Sequence, residues 1–355
     1  MMRIVVVGFG SIGKRHLENL RALGVRELLV TDLDPARRAE AKQRGAAAFD
    51  ALPEALHARP DAVIVATPPA SHVSIALAAA EAGSALFIEK PLSDTLTGVR
   101  RLLRLIDHRQ LVSLVGCNML FHHGPATIKR LLDEGRIGKP LTALIDAGQY
   151  LPDWHPSEDY RRGYSARRAL GGGVVLDGIH ELDYACWLFG TPRRVFAMGG
   201  QVSGLEIDTE DCANILMEFQ TGVVAHVHLD YLQRVYGRTC KVIGEHGTVL
   251  WDMTDGAVRW YAASTARWTE LPPREGYTVN QMYLDEMAHF LNCLRGTEHP
   301  LQDVEQAART LRVALAAKQS MTTGRPQRLS VRVVPPVARP SRRGAAVDAA
   351  QEVSR

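Results

Sequence analysis

The sequence predicts an α/β fold in two parts: an N-terminal doubly wound parallel sheet, then an α+β domain built on a large, mostly antiparallel sheet. Three observations carry this reading. In the first third, short β-branched apolar runs alternate with helical stretches, the pattern of parallel strands joined by right-handed crossovers. A glycine cluster, Gly8-Phe9-Gly10-Ser11-Ile12-Gly13, stands between the first run and the first helical stretch. After Phe121 the runs are separated by glycine turns, which suits antiparallel pairing. At 355 residues and 39.0 kDa the chain has room for two domains, expected at 1–121 and 122–324, followed by a basic, disordered tail at 325–355.

Strands are predicted at Ile4–Val7, Leu28–Thr31, Ala62–Ala66, Ala85–Ile88 and Val112–Val115, each short and apolar enough to be buried on both faces. Between them, helices are predicted at Lys14–Ala22, Pro35–Arg44, His72–Ala82 and Thr97–His108. The last has Leu102, Leu103 and Ile106 on one face and three arginines elsewhere. Further on, Pro125–Glu134 and Leu176–Phe189 read as helices closed by Gly135 and Gly190. Six strands follow, at Arg194–Met198, Asn214–Phe219, Val223–Tyr231, Arg238–Ile243, Thr248–Asp252 and Val258–Tyr261. Helices at Met282–Leu294 and Val304–Lys318 close the domain.

Composition excludes several function classes. With 46% hydrophobic and 23% charged residues the chain is not disordered as a whole. Its net charge of +3 comes from the end: from Arg325 onward seven arginines face Asp348 and Glu352, a local +5 that leaves the body at −2. The body therefore gives no reason to expect a nucleic-acid partner. No apolar run is long enough to span a membrane, and the start is too short for a signal peptide. Cys117, Cys186, Cys212, Cys240 and Cys293 are odd in number and lack CxxC spacing, which points to reduced thiols in a cytoplasmic protein. His122-His123 point apart, and His226 and His228 share a strand face with Asp230; neither makes a zinc site, so no metal is expected.

The glycine cluster has the spacing of a dinucleotide cradle in strand-turn-helix context. Gly8 permits the tight turn, Gly10 lets backbone approach a pyrophosphate, and Gly13 lets the helix pack on the strand. The pyrophosphate would meet the positive helix N-terminus. Asp32 lies 19 residues after Gly13, at the end of the second strand, where a carboxylate accepts from ribose hydroxyls and repels a 2′-phosphate. NAD is the expected cofactor. Arg37 and Arg38 could reach a 2′-phosphate, which keeps NADP as an alternative.

Thr67-Pro68-Pro69 ends the third predicted strand, His72 opens the next helix, and Glu89-Lys90-Pro91 follows the strand after it. With the glycine motif, this set resembles the glucose-fructose oxidoreductase/inositol dehydrogenase/MocA (Gfo/Idh/MocA) family. The resemblance runs through Gly171-Gly172-Gly173, Asp177, His180 and Asp183 and covers about residues 3–320. It implies a Rossmann domain, an α+β substrate domain, and a homodimer or homotetramer packed through the sheet. It also implies that Thr67, Pro68, His72, Glu89 and Lys90 line the cofactor, and that Lys90, Asp177 and His180 form the catalytic set. In the common family pattern three residues separate the Asp and His, whereas here only Gly178-Ile179 intervene, as in a subgroup with Asp-x-x-His-Glu-x-Asp-Tyr.

The residue chemistry agrees with this assignment. Oxidising a secondary alcohol requires a base for the hydroxyl proton and a cation beside the developing alkoxide. His180 suits the first role and Lys90 the second. Asp177, three residues before His180 on one predicted helix, is expected to orient the imidazole. Asn118, Trp154, Tyr160, Arg161 and Arg168 are candidates to face a carbohydrate or nucleotide-sugar substrate, although arginines in such a loop also serve simply as solvated ion pairs. A sugar, cyclitol or sugar-nucleotide dehydrogenase is the leading reading. An imine or double-bond reductase and a catalytically silent NAD-binding regulator are the alternatives.

Overall fold

The computed structural model describes residues 2–329 apart from His155 and Ser157. The N-terminal part runs β1 (Arg3–Val7), α1 (Ser11–Ala22), β2 (Glu27–Thr31), α2 (Pro35–Gln43), β3 (Ala47–Phe49), α3 (Leu52–His57), β4 (Ala62–Val65), α4 (His72–Glu81), β5 (Ala85–Glu89), α5 (Val99–Arg109) and β6 (Ser113–Gly116). Its six strands are all parallel in the order β3-β2-β1-β4-β5-β6. The order reverses between β1 and β4, so the crevice beyond their carboxyl ends is where a dinucleotide binds such a sheet. Asp34 caps α2 by accepting from the Ala36 N–H, with Pro35 in the first turn.

The second part adds α6 (His123–Asp133), β7 (Pro140–Gly148), α7 (Val174–Asp177), α8 (Ile179–Phe189), β8 (Pro192–Gly200), β9 (Cys212–Phe219), β10 (Val224–Asp230), β11 (Gly237–Gly244), β12 (Gly247–Asp252), β13 (Val258–Ala262), β14 (Arg267–Leu271), α9 (Asn280–Leu294), α10 (Val304–Thr323) and β15 (Gln327–Arg328). They form a nine-stranded sheet ordered β14-β13-β12-β11-β7-β10-β9-β8-β15, antiparallel except where β7 meets β10. Along β10, Ala225, Val227 and Leu229 turn inward while His226 and His228 face outward. Helices α8 and α10 pack on the inner face.

Several expectations need correction. The helix predicted over Leu176–Phe189 is broken at Gly178, which ends α7 and precedes α8. β3, α3, β7, β14 and β15 were not predicted. β15 pairs with β8 inside the expected tail, and Leu329 N–H donates to Arg193 O at 3.0 Å; the rest of that tail lies outside the described residues. The core of the first part also takes in residues from far beyond 121. Met287, Phe290 and Leu291 of α9 share a core with Leu17 and Leu20 of α1, and Asn280 donates to Asn19.

Candidate active site

The glycine turn closes onto the strands around it. Gly8 takes φ +90°, and a side chain there would meet Ala66 O at 2.5 Å. At Gly13 a Cβ would come within 2.0 Å of Gly8 O. Beside Gly10 only Arg37 comes within 4 Å, leaving open space at the head of α1. The Asp32 carboxylate accepts from Phe9 N–H at 2.6 Å and Asp34 N–H at 2.8 Å, with Arg37 Nη1 3.7 Å away. An open cradle, a helix N-terminus and a fixed carboxylate at its edge fit a dinucleotide. Ser11, Ile12, Thr67 and Pro68 border this crevice with exposed or half-buried surface.

Not every residue expected at the cofactor can touch it. Phe9 has no exposed surface, so only its backbone serves the turn. His72 is also fully enclosed, its ring nitrogens on Pro91 O and Thr67 O, and so ties together the loops after β4 and β5. Glu89 is held by His16 Nε2 at 2.6 Å and anchors α1 to the end of β5.

Lys90 crosses from the end of β5 to α7. Its Nζ donates to Asp177 O at 2.9 Å and to Asp177 Oδ1 at 3.2 Å. Asp177 also accepts from Tyr164, from Ser165 Oγ at 2.6 Å and from Tyr231 OH at 3.0 Å. The glycine run positions this cluster, since at Gly172 any side chain would strike Tyr164 O at 2.1 Å. Burial opposes the Lys90 charge, but Tyr164, Asp177 and Glu89 outweigh it and raise its pKa. Burial alone would raise the Asp177 pKa; Lys90 and the hydroxyls of Ser165 and Tyr164 bring it below the usual value. The pair is therefore an ammonium on a carboxylate at neutral pH.

His180 stands apart from that network. The break at Gly178 separates it from Asp177, whose oxygens are occupied by Lys90 and three hydroxyls. Orientation of His180 by Asp177 is thus not what the structure provides. His180 Nδ1 is buried and has no hydrogen-bond partner among the described residues. Burial first, then the charges of Lys90 and Arg238, push its pKa well below that of ordinary histidine. It is a neutral imidazole beside a fixed cation, an arrangement able to accept a proton.

The remaining candidates divide. Asn118 is buried with Oδ1 unpartnered among the described residues. Trp154 packs edge-on against Tyr231 and donates to Gln149 O at 3.2 Å. Tyr160 OH accepts from Glu206 N–H at 3.2 Å. Arg161 is paired with Asp159 and Glu206, and the Arg168 side chain donates to the Asp208 carbonyl, both at exposed positions. Asp183 lies behind the site, accepting from Gln302 and Thr310, with burial raising its pKa to about 7. His228 bonds Asn214 and Asp230; His122 accepts from Gly124 N–H. No group of three or more metal-ligating side chains converges among the described residues. Sequence reasoning missed Tyr164, Ser165 and Tyr231 as partners of Asp177, although the first two lie in the loop it singled out.

Comparison with known proteins agrees with this architecture. Residues 2–117 match a family model described as oxidoreductase family, NAD-binding Rossmann fold, and residues 126–250 one described as GFO/IDH/MocA C-terminal domain. The chain is 28% identical to a myo-inositol 2-dehydrogenase of Thermotoga maritima, over 92% of this chain and 98% of that protein. It is 32% identical to an inositol 2-dehydrogenase of Acidothermus cellulolyticus, over 70% and 72%. The crystal structure of GenD2 from gentamicin A biosynthesis, in complex with NAD, superposes with a TM-score of 0.80 at 26% identity, over 93% and 97%. A glycine cradle edged by Asp32, a lysine carried across to a second domain and two matched halves lead to one assignment: this chain belongs to the Gfo/Idh/MocA family of NAD-binding oxidoreductases.

Proposed function

We propose that the protein is an NAD-dependent dehydrogenase that oxidises a secondary alcohol of a sugar, cyclitol or nucleotide-sugar. The observation that carries this is the Lys90 ammonium, fixed on Asp177 and near enough to the imidazole of His180 for its charge to help keep that ring neutral. Bound NAD supplies the hydride acceptor at its nicotinamide ring. His180 takes the hydroxyl proton, and Lys90 stabilises the alkoxide as it forms. Asp177 is a positioning residue for Lys90. The relatives named inositol 2-dehydrogenases support a polyol substrate. The test is a panel of inositols, sugars and sugar nucleotides read by NADH absorbance. Tight NAD binding without turnover on any of them would favour the silent regulator instead.

Two variants probe the supporting residues. Asp32→Ala should raise the KM for NAD far more than that for NADP, because a ribose acceptor goes and repulsion of a 2′-phosphate is relieved. An unchanged preference would remove Asp32 from the ribose site. Asp177→Asn should lower kcat about 10- to 100-fold, as expected when a charged hydrogen-bond partner is lost. It should also move the alkaline limb of the kcat profile down, since Asp177 is one of the groups holding the Lys90 pKa up. A stability loss without that displacement would make Asp177 merely structural.

The outer face of the nine-stranded sheet supports a homodimer or homotetramer. Leu144, His226, Leu216 and Phe196 lie side by side across β7, β10, β9 and β8, with Leu144 and Leu216 40% and 45% exposed. An apolar stripe in open water favours burial against a second copy. Light scattering should give a multiple of 39.0 kDa; a particle of that mass itself would overturn the assembly. Five unpaired cysteines suit the reducing cytoplasm.

A further inference from the structure

Among the described residues, Arg238 is a cation held on Glu181, beside His180 in the chain, that the proposed reaction does not use. It sits on β11 on the same face as the buried Cys240 and Val242, directed at α8. Its Nε lies 2.9 Å from Oε1 of Glu181, the residue after His180. Neither that nitrogen nor either Glu181 oxygen has a hydrogen bond among the described residues, so the pair shares charge without proper hydrogen-bond geometry. Nη1 meets only Met119 Sδ, at 3.2 Å. A guanidinium has five N–H donors, and among the described residues no protein oxygen takes one from Arg238.

A buried guanidinium left in this state is costly unless a further acceptor arrives. The Arg238 side chain keeps 15% of its surface exposed, while Glu181 has none, so only the cation can meet a ligand. Its two contacts, Glu181 and Met119, are the residues that follow His180 and Asn118 in the chain, which sets the guanidinium beside the proposed reacting groups. Tyr236 flanks the guanidinium, its ring centre 5.9 Å away.

We propose that Arg238 receives a carboxylate of the substrate, and that the alcohol oxidised is therefore on an acidic sugar, free or as its nucleotide conjugate. A carboxylate accepts two parallel N–H bonds from a guanidinium, a match a lone hydroxyl does not provide. Glu181 holds the Arg238 chain in place and, being inaccessible, does not repel the incoming anion by contact. This inference rests on the dehydrogenase reading and narrows its substrate class.

The experiment compares D-glucuronate with D-glucose, and UDP-glucuronate with UDP-glucose, as substrates of the full chain with NAD. Calorimetric binding of each to the NADH-loaded protein runs in parallel. At least one acid should bind and be oxidised with the higher kcat/KM of its pair. Arg238→Gln should cut the acid-to-neutral ratio about 30- to 100-fold, chiefly through KM for the acid. Because that variant strands Glu181, the paired Arg238→Gln/Glu181→Gln protein is measured too, with melting temperature and NAD affinity as checks on folding. It should show the same loss of discrimination. The two pairs distinguish a free acid from a nucleotide conjugate. Equal or greater turnover of the neutral partners overturns the carboxylate while leaving the dehydrogenase in place. Failure of every acid to bind overturns it whatever else is turned over, and parallel losses for acid and neutral sugar reduce Arg238 to a structural ion.

Discussion

Lys90→Ala is expected to lower kcat about 100- to 1,000-fold while NAD still binds, the usual cost of removing one well-aimed donor from a developing oxyanion. The fold should survive the change. Asp177 keeps Tyr164, Ser165 and Tyr231 as donors, so no carboxylate is left bare. Among the described residues Lys90 makes no hydrogen bond to the glycine turn that would cradle the pyrophosphate, which predicts a KM for NAD near that of the parent. Lys90→Arg should not restore the rate, because a planar fork cannot reproduce a point charge donating to both Asp177 O and Oδ1. Steady-state kinetics and a melting curve decide it. A Lys90→Ala protein with ordinary turnover would put the alkoxide elsewhere.

His180→Ala should cost about 100- to 10,000-fold in kcat, the range for losing a general base. The pH dependence separates this from a packing defect. His180 must be deprotonated to accept the substrate proton, and its pKa lies well below the ordinary histidine value. Turnover of the parent should therefore hold through the usual histidine range as pH falls. It should drop only below that range, once the imidazole protonates. In His180→Ala that acid limb should be gone, and the residual rate should rise with added hydroxide. Near-parental turnover with the same limb would make His180 a core histidine and move the base to Tyr164 or a water.

Much of this is legible in the amino-acid sequence. The glycine spacing, Asp32 and Glu89-Lys90-Pro91 sit at strand ends fixed by short apolar runs, and such runs leave little freedom in a parallel sheet. β7 escaped because its buried positions include Ala143 and Ala147, too small to register as a hydrophobic alternation, between polar residues such as Thr142 and Asp146. Gly178 within an otherwise helical run signals the break between α7 and α8, but a sequence pattern does not say that the break turns Asp177 away from His180. Tyr231 had no motif to mark it. Its hydroxyl reaches Asp177 only because β10 ends beside α7, a relation between residues 54 apart in the chain. Nor does a cluster of arginines reveal the partners that folding brings to it, the Glu206 carboxylate to Arg161 and the Asp208 backbone carbonyl to Arg168.

The return of α9 to the first domain has a consequence for how the protein is made. Phe290 meets Phe87 of β5 edge to face, ring centres 5.5 Å apart, and Met287 and Leu291 close the same core. A ribosome that has released only the first six strands has therefore made a sheet with one wall missing. That wall arrives after the whole of the second sheet has been synthesised up to β14. The nascent nucleotide-binding half must wait, with apolar surface uncovered, for residues encoded near the far end of the message. Chains that stall or are cleaved before Asn280 should accordingly be aggregation-prone substrates for chaperones, not free-standing NAD-binding fragments.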